Sequence, residues 1–166
     1  MTVYSRTHTP KRVVEAEFTR PANATQYTAG DAVGTSTTNV LTFSRVGKHG
    51  DGAVKIAGFR VMKSDGTDIT GATFRLHLYT VAPTAIADNA ANTVLYANRA
   101  NYVGYLDTGT MIASGGAAYS HLNVTPPLVV VTGDSGNLYG ALETLGTYTP
   151  ASAETFSVGL TVEQYQ

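Results

Sequence analysis

Cysteine is absent from the chain, so neither a disulfide nor a thiolate metal site can hold it together. Stability has to come from a packed interior. The 166 residues are enough for one, since a domain near this size buries roughly 68–70% of the surface its extended chain exposes. Charge is scarce as well. Asp, Glu, Lys and Arg make up 14% of the residues and the formal net charge is −1, which leaves little long-range field to gather nucleic acid or an anionic membrane. Long apolar runs are missing, and a stretch such as Leu128 to Val131 falls far short of the ~20 residues of a membrane span. The opening Met1-Thr2-Val3-Tyr4 lacks the apolar segment of a secretion signal. These absences lead us to expect a soluble chain made in a cytoplasm, with neither nucleic acid nor membrane as partner.

Other absences are positional. Residues 1–99 carry 11 basic and 7 acidic groups, a balance of +4, whereas residues 100–166 carry no basic group and 5 acidic ones, a balance of −5. Strands interleaved from both halves would mix these charges, whereas two oppositely charged surfaces would suit an ordered assembly. Tryptophan is absent while tyrosine occurs ten times, which fits a β protein whose aromatics keep one end wet. No long stretch of helical period is present, and no fixed-period repeat, which argues against a solenoid or propeller.

What the chain does have is short runs of period two separated by turn residues. Residues 1–11 read as an arm outside the core, and residues 12–166 as one β-sandwich domain. From Arg12, Val14, Ala16 and Phe18 alternate with Val13, Glu15 and Glu17 up to Pro21, the mark of a half-buried strand. Two short extended pieces follow around Gly30-Asp31, then a strand over Asn39–Val46. Ala53–Lys63 is apolar on both faces, with Val54, Ile56 and Met62 against Ala57, Phe59 and Val61, which suits a central position. Asp65-Gly66 carries a hairpin signal. Phe74, Leu76 and Leu78 alternate with Arg75, His77 and Tyr79, and the latter face predicts a hydrogen-bonding cluster around His77. Pro83–Asn92 predicts a short helical turn capped by Asp88 or Asn89. Strands follow near Tyr102–Leu106, Thr110–Ala113, Tyr119–Val124, Leu128–Thr132 and Leu138–Leu145. A final strand has Phe156, Val158, Leu160 and Val162 inward and Ser157, Gly159, Thr161 and Glu163 outward. Nine or ten such strands predict an all-β fold, a jelly-roll-like antiparallel sandwich with an extended N-terminal arm and at most a short helix.

Signatures of chemistry are sparse. His8, His49, His77 and His121 show no HxH or HExxH spacing, so a metal site would need ligands from distant positions. There is no GxSxG elbow. Gly47–Gly52 lacks the order of a phosphate loop and no helix follows it. Five Glu and seven Asp, many in turns, scarcely supply paired carboxylates. We expect neither an enzyme nor a cofactor. Tyr96, Tyr102, Tyr105 and Tyr119 could make a sugar-stacking platform, although tyrosines at a rim with bonded hydroxyls would look the same.

A set of segments resembles the capsid cement (decoration) proteins of tailed bacteriophages. They are Tyr27-Thr28-Ala29-Gly30-Asp31, Leu76-His77-Leu78-Tyr79 running into Pro83-Thr84 and Asp88-Asn89, Tyr102-Val103-Gly104, Leu138-Tyr139-Gly140-Ala141-Leu142, Tyr148-Thr149-Pro150 and Phe156-Ser157-Val158. The resemblance runs from about Asn23 to the C-terminus and leaves out the basic arm. It implies a jelly roll on the exterior of a virion capsid, made in the bacterial host cytoplasm, that bridges major capsid protein subunits and stabilises the shell. It also implies a homo-oligomer, a dimer or trimer at a local symmetry axis, and no catalytic residues. Two contact regions follow as expectations. Arg6, Lys11 and Arg12 would pair with acidic groups of a capsid subunit, and the loop carrying Pro83, Asp88 and Asn89 would lie at a capsid or oligomer interface. The alternative is a phage tail or receptor-binding β-module that contacts host surface carbohydrate.

Overall fold

A computed structural model describes residues 11–47, 52–93 and 96–164. Nine strands are found among them: β1 (Arg12–Thr19), β2 (Val40–Phe43), β3 (Ala53–Lys63), β4 (Phe74–Tyr79), β5 (Tyr102–Asp107), β6 (Ile112–Ser114), β7 (Ala117–Val131), β8 (Leu138–Thr144) and β9 (Thr155–Gln164). They form two antiparallel sheets, β1-β9-β3-β7-β6 and β2-β8-β4-β5. Apart from the three-residue β6, this is eight strands in two sheets of four, with the chain crossing repeatedly from one sheet to the other. That is the jelly roll expected from the alternation. The arm expected over residues 1–11 lies, except for Lys11, outside the described residues.

The core sits between the sheets and follows the period of two. Val14 and Phe18 of β1, Phe74, Leu76 and Leu78 of β4, and Phe156, Val158, Leu160 and Val162 of β9 are all buried. An aromatic chain ties the layers. Phe18 stacks on Phe156 at 5.2 Å, Phe74 meets both Phe156 and Tyr148 edge-on at 5.5 Å, and Tyr148 stacks on Tyr27 at 5.2 Å. Such pairs add about 0.5–1.5 kcal/mol each beyond their burial.

Four readings are corrected. β3 is central, between β9 and β7, but it is not apolar on two buried faces. A bulge at Ala57 shifts its register against both neighbours. The extra residue changes the phase, so Val54 and Ile56 join Phe59, Val61 and Lys63 on the inner face while Met62 points outward and is exposed. The strands expected near Tyr119–Val124 and Leu128–Thr132 are one, β7. It carries Thr125-Pro126-Pro127 through a bulge in which residues 124–127 lie opposite Ala57, a place where a strand tolerates prolines.

Asp65-Gly66 makes no hairpin, because β3 and β4 belong to different sheets. The Asp65 carboxylate instead accepts from the Thr67 N–H and hydroxyl, turning the corner between sheets. Finally, Pro83–Asn92 forms no helix. Ala32 N–H donates to Ala90 C=O, Asp88 N–H to Thr35 C=O, Asn89 N–H to Ala32 C=O and Asn92 N–H to Gly30 C=O. These long-range bonds satisfy the backbone groups that a helical turn would have used. The 3-10 turn that is present lies later, at Tyr96–Asn101.

Candidate functional site

Lys11 and Arg12 stand at the start of β1. Lys11 pairs with Glu163 at 3.2 Å, and Arg12 donates to the Val46 carbonyl at 3.1 Å. Arg6 lies outside the described residues, as do His8 and His49. Asp88 and Asn89 are near the other end of β1, where Arg20 contacts Asp88. An eight-residue strand separates the groups by roughly 27 Å at ~3.4 Å per residue, so they do not make one site.

The Asp88 side chain is turned inward. Its carboxylate accepts from the Tyr27 hydroxyl at 2.5 Å, from Arg20 Nη2 at 3.0 Å and from the Gly34 N–H at 3.0 Å, while Arg20 Nε also bonds the Tyr27 oxygen. Arg20 further donates to the carbonyls of Asn23 and Ala151. Asn89, with φ 59°, donates to the carbonyls of Thr25 and Gln26. Pro83 is half-buried. Asp88 and Asn89 therefore clamp their loop to residues 20–34, and with Pro21, Asn23, Thr25 and Ser36 they line a polar hollow of about 520 Å³.

The outer face of β2-β8-β4-β5 holds the cluster expected around His77. Glu143 Oε2 lies 2.6 Å from His77 Nε2, the Tyr102 hydroxyl lies 3.1 Å from Nδ1, and Asn92 donates to the same Glu143 oxygen at 3.0 Å. Burial pushes the Glu143 carboxyl up, but the bonds from His77 and Asn92 outweigh it and hold the group below the usual carboxylate range. Beside this cluster, Arg75 forks onto Asp107 at 2.6 and 2.8 Å and lies 4.0 Å over the Tyr105 ring. Both nitrogens of His77 are engaged, so it braces β4 against β5 and β8. Among the described residues, no group of three or more His, Asp or Glu is placed to share a metal ion. The four tyrosines do not gather. Tyr119 is on the other sheet, and Tyr102 is tucked against Tyr79 at 5.2 Å with its hydroxyl on His77.

The outer face of β1-β9-β3-β7-β6 is different in kind. Val13, Met62, Ile112, Tyr119, Val129 and Val131 are all exposed there. Cross-strand rows explain its shape. Glu15, Gly159, Arg60 and His121 fall in one row of the sheet. A Cβ on Gly159 would come within 2.8 Å of Arg60 Nε and 2.9 Å of its Cγ. Glycine there lets Arg60 lie flat across β9 to reach Glu15 on β1, a contact that holds the Glu15 carboxyl below its ordinary range. In the adjoining row Gly58 contributes no side chain beside Thr161. The result is a trough of about 340 Å³ lined by Val13, Arg60, Met62, Tyr119, His121 and Thr161.

Gly159→Val is expected to lift Arg60 off the sheet and fill the trough. Its cost through the lost exposed ion pair is only about 0.2–1 kcal/mol; a larger loss in urea melts would mean that Arg60 has a structural role. Sequence reasoning missed this face because Met62 was phased as core. The signal available was the Ala57-Gly58 pair within an apolar strand, a mark of a bulge.

No family model and no curated protein matches the chain. Among solved structures it is similar to a chain from the X-ray structure of tomato aspermy virus, at 9% identity over 100% of this chain and 83% of that one, with a TM-score of 0.34. It is also similar to the PRD1 vertex protein P5, at 13% identity over 93% and 96% of the two chains and a TM-score of 0.32. A third is a chain of desmodium yellow mottle tymovirus, at 10% identity over 99% and 86% and a TM-score of 0.26. These likenesses are distant, and the jelly roll assigned above rests on the strand order of the chain itself.

Proposed function

We propose that the chain is a non-catalytic structural virion protein that binds the outside of a phage capsid and bridges its major capsid subunits. The observation that carries this reading is the outer face of β1-β9-β3-β7-β6. Large apolar side chains from β1, β3, β6 and β7 share one exposed surface, and exposed apolar patches on soluble domains mark interaction sites. The strands behind it are tied through the core, so the face is presented rigidly. Many such contacts repeated by symmetry stabilise a shell without any single strong site. The cement-protein resemblance of the sequence supports the same role.

The test is co-sedimentation of the purified chain with undecorated capsids, counting copies per shell. Saturation at a number that matches the symmetry axes, with a rise in capsid melting temperature, is the expected result. Met62→Lys and Tyr119→Ser are each expected to weaken binding by about tenfold, the effect of losing an interface anchor. Binding unchanged in both variants would remove this face from the interface. No binding by the parent chain would turn attention to the carbohydrate-contacting tail module. That second reading is favoured by Tyr105, an exposed ring backed by an Arg75 guanidinium that Asp107 holds in place, and a glycan array would test it.

A further inference from the structure

We propose that the chain self-associates through the open edge of β7, with Leu128–Val131 of two copies pairing antiparallel about a two-fold axis at Val130. Sheet edges carry unpaired backbone groups, and soluble proteins guard them with charge, brevity or bulges. The other edges of this sandwich are guarded. β1 carries Arg12, Glu15 and Glu17, β5 ends on Asp107, and β2 and β6 have four and three residues. β7 is different. Among the described residues its outer side is paired only over Ala117–Tyr119, by β6. From Ala117 to Val131 it contains no Asp, Glu, Lys or Arg.

The backbone directions decide which groups face the opening. Thr132 N–H donates to the Gly52 carbonyl on the β3 side. Directions alternate along a strand, so Val130 also faces β3, opposite Val54, while Val129 and Val131 turn their N–H and C=O groups to the open edge. Their side chains stand on the sheet exterior at 57% and 56% exposure. A two-fold axis at Val130 sets Val129 of each copy opposite Val131 of the other, with both residues sharing a face and exchanging N–H···O=C bonds in the manner of a hydrogen-bonded antiparallel pair. The cross-strand neighbours are then valines, which pair well on a pleated surface. Pro126 and Pro127 donate no N–H and end the seam on one side.

Charge favours β7 over β1 as the seam between two copies. Self-pairing of β1 centred on Glu15 or Ala16 opposes like charges, whereas self-pairing of β7 opposes none in any register. The seam gives the homo-oligomer expected of a shell-binding part its interface, and it stands whether or not capsids are bound.

Sedimentation velocity of the full chain over a concentration series tests it. A concentration-dependent dimer is expected. Val129→Lys combined with Val131→Lys sets lysine against lysine and is expected to weaken the dimer by about tenfold or more, with the far-UV spectrum and melting temperature of the monomer kept. Mixing that variant with the Val129→Glu, Val131→Glu variant is expected to restore a heterodimer, which loss of apolar surface alone would not do. A parent chain monomeric throughout, or a dimer insensitive to both variants, overturns the proposal. A monomer that nevertheless loses capsid binding in the lysine variant also overturns it and assigns the edge to the capsid subunit. Capsid binding by a monomer leaves the proposed function intact, and a dimer that ignores capsids leaves the seam intact.

Discussion

Lys63→Met is expected to destabilise the sandwich by about 3–5 kcal/mol near neutral pH, the usual result of removing one member of a buried ion pair, and by much less near pH 4. Lys63 and Glu154 have fully buried side chains, and Lys63 Nζ donates to Glu154 Oε1 at 2.8 Å. Glu154 Oε2 and the Tyr148 hydroxyl have no hydrogen-bond partner, so beyond Lys63 the carboxylate has only the weaker field of Arg20 to compensate it. Burial pushes the Glu154 carboxyl above its ordinary range, more than Lys63 pulls it down. Removing Lys63 raises it further.

A carboxyl whose folded pKa lies above its unfolded value contributes stability fully below the unfolded pKa and loses it as pH rises through the folded one. Near pH 4 Glu154 is largely protonated in the folded variant and needs no cation. In the parent at that pH Lys63 faces a neutral Glu154 and keeps the more distant Asp65, 3.8 Å away, as its anion, which narrows the difference further. Urea denaturation at both pH values measures the gap. A gap that is constant with pH would mean that Lys63 acts through the packing of its stem, with its charge irrelevant. Replacing the pair together, by Lys63→Met with Glu154→Leu, is expected to recover most of the loss, since apolar replacements of buried pairs are commonly neutral or better.

The second large effect is Asp88→Ala, expected to cost about 3–5 kcal/mol. It strands Arg20, whose side chain is fully buried, and removes the acceptor of the Tyr27 hydroxyl and the Gly34 N–H. Asp88→Asn keeps an acceptor and is expected to lose less. Thermal or urea melting of both variants decides the matter. Equal losses would show that the charge opposite Arg20, which both variants remove, is what matters and that the retained acceptor contributes little. The same geometry governs how the 83–92 loop is tested as a contact. Substitution at Asp88 lowers binding through folding, so contact with a shell is better probed at the exposed Thr84 and Ala85, where binding can change while stability does not.

These pairs show where local sequence reading stops. Alternation is a property of neighbours i and i+2, so Val14-Ala16-Phe18 and Phe156-Val158-Leu160-Val162 disclosed their strands and their inward faces directly. The cluster at His77 was legible from its face of β4, but its anion was not, because Glu143 is 66 residues away. The Lys63–Glu154 pair spans 91 residues and the Arg20–Asp88 pair 68. Nothing local distinguishes a lysine at the buried end of a strand from one at an exposed end. Asp88 read as a helix cap for the same reason: a short polar side chain suits a cap, a turn or a buried acceptor equally until its partners are known.

By itself, then, the sequence determined an all-β sandwich without disulfides, its main strands and most of its core, because the period of two and the turn residues are written in consecutive positions. The tertiary structure alone decided the rest. A bulge exists only against a partner strand: Gly58 marks where one can form, but pairing with β9 and β7 decides that Ala57 turns Met62 out of the core. Whether an apolar residue is core or exposed interface depends on what covers it, and that is why the outer face with Val13, Met62 and Tyr119, and the open edge at Val129 and Val131, came into view only when the two sheets were assembled.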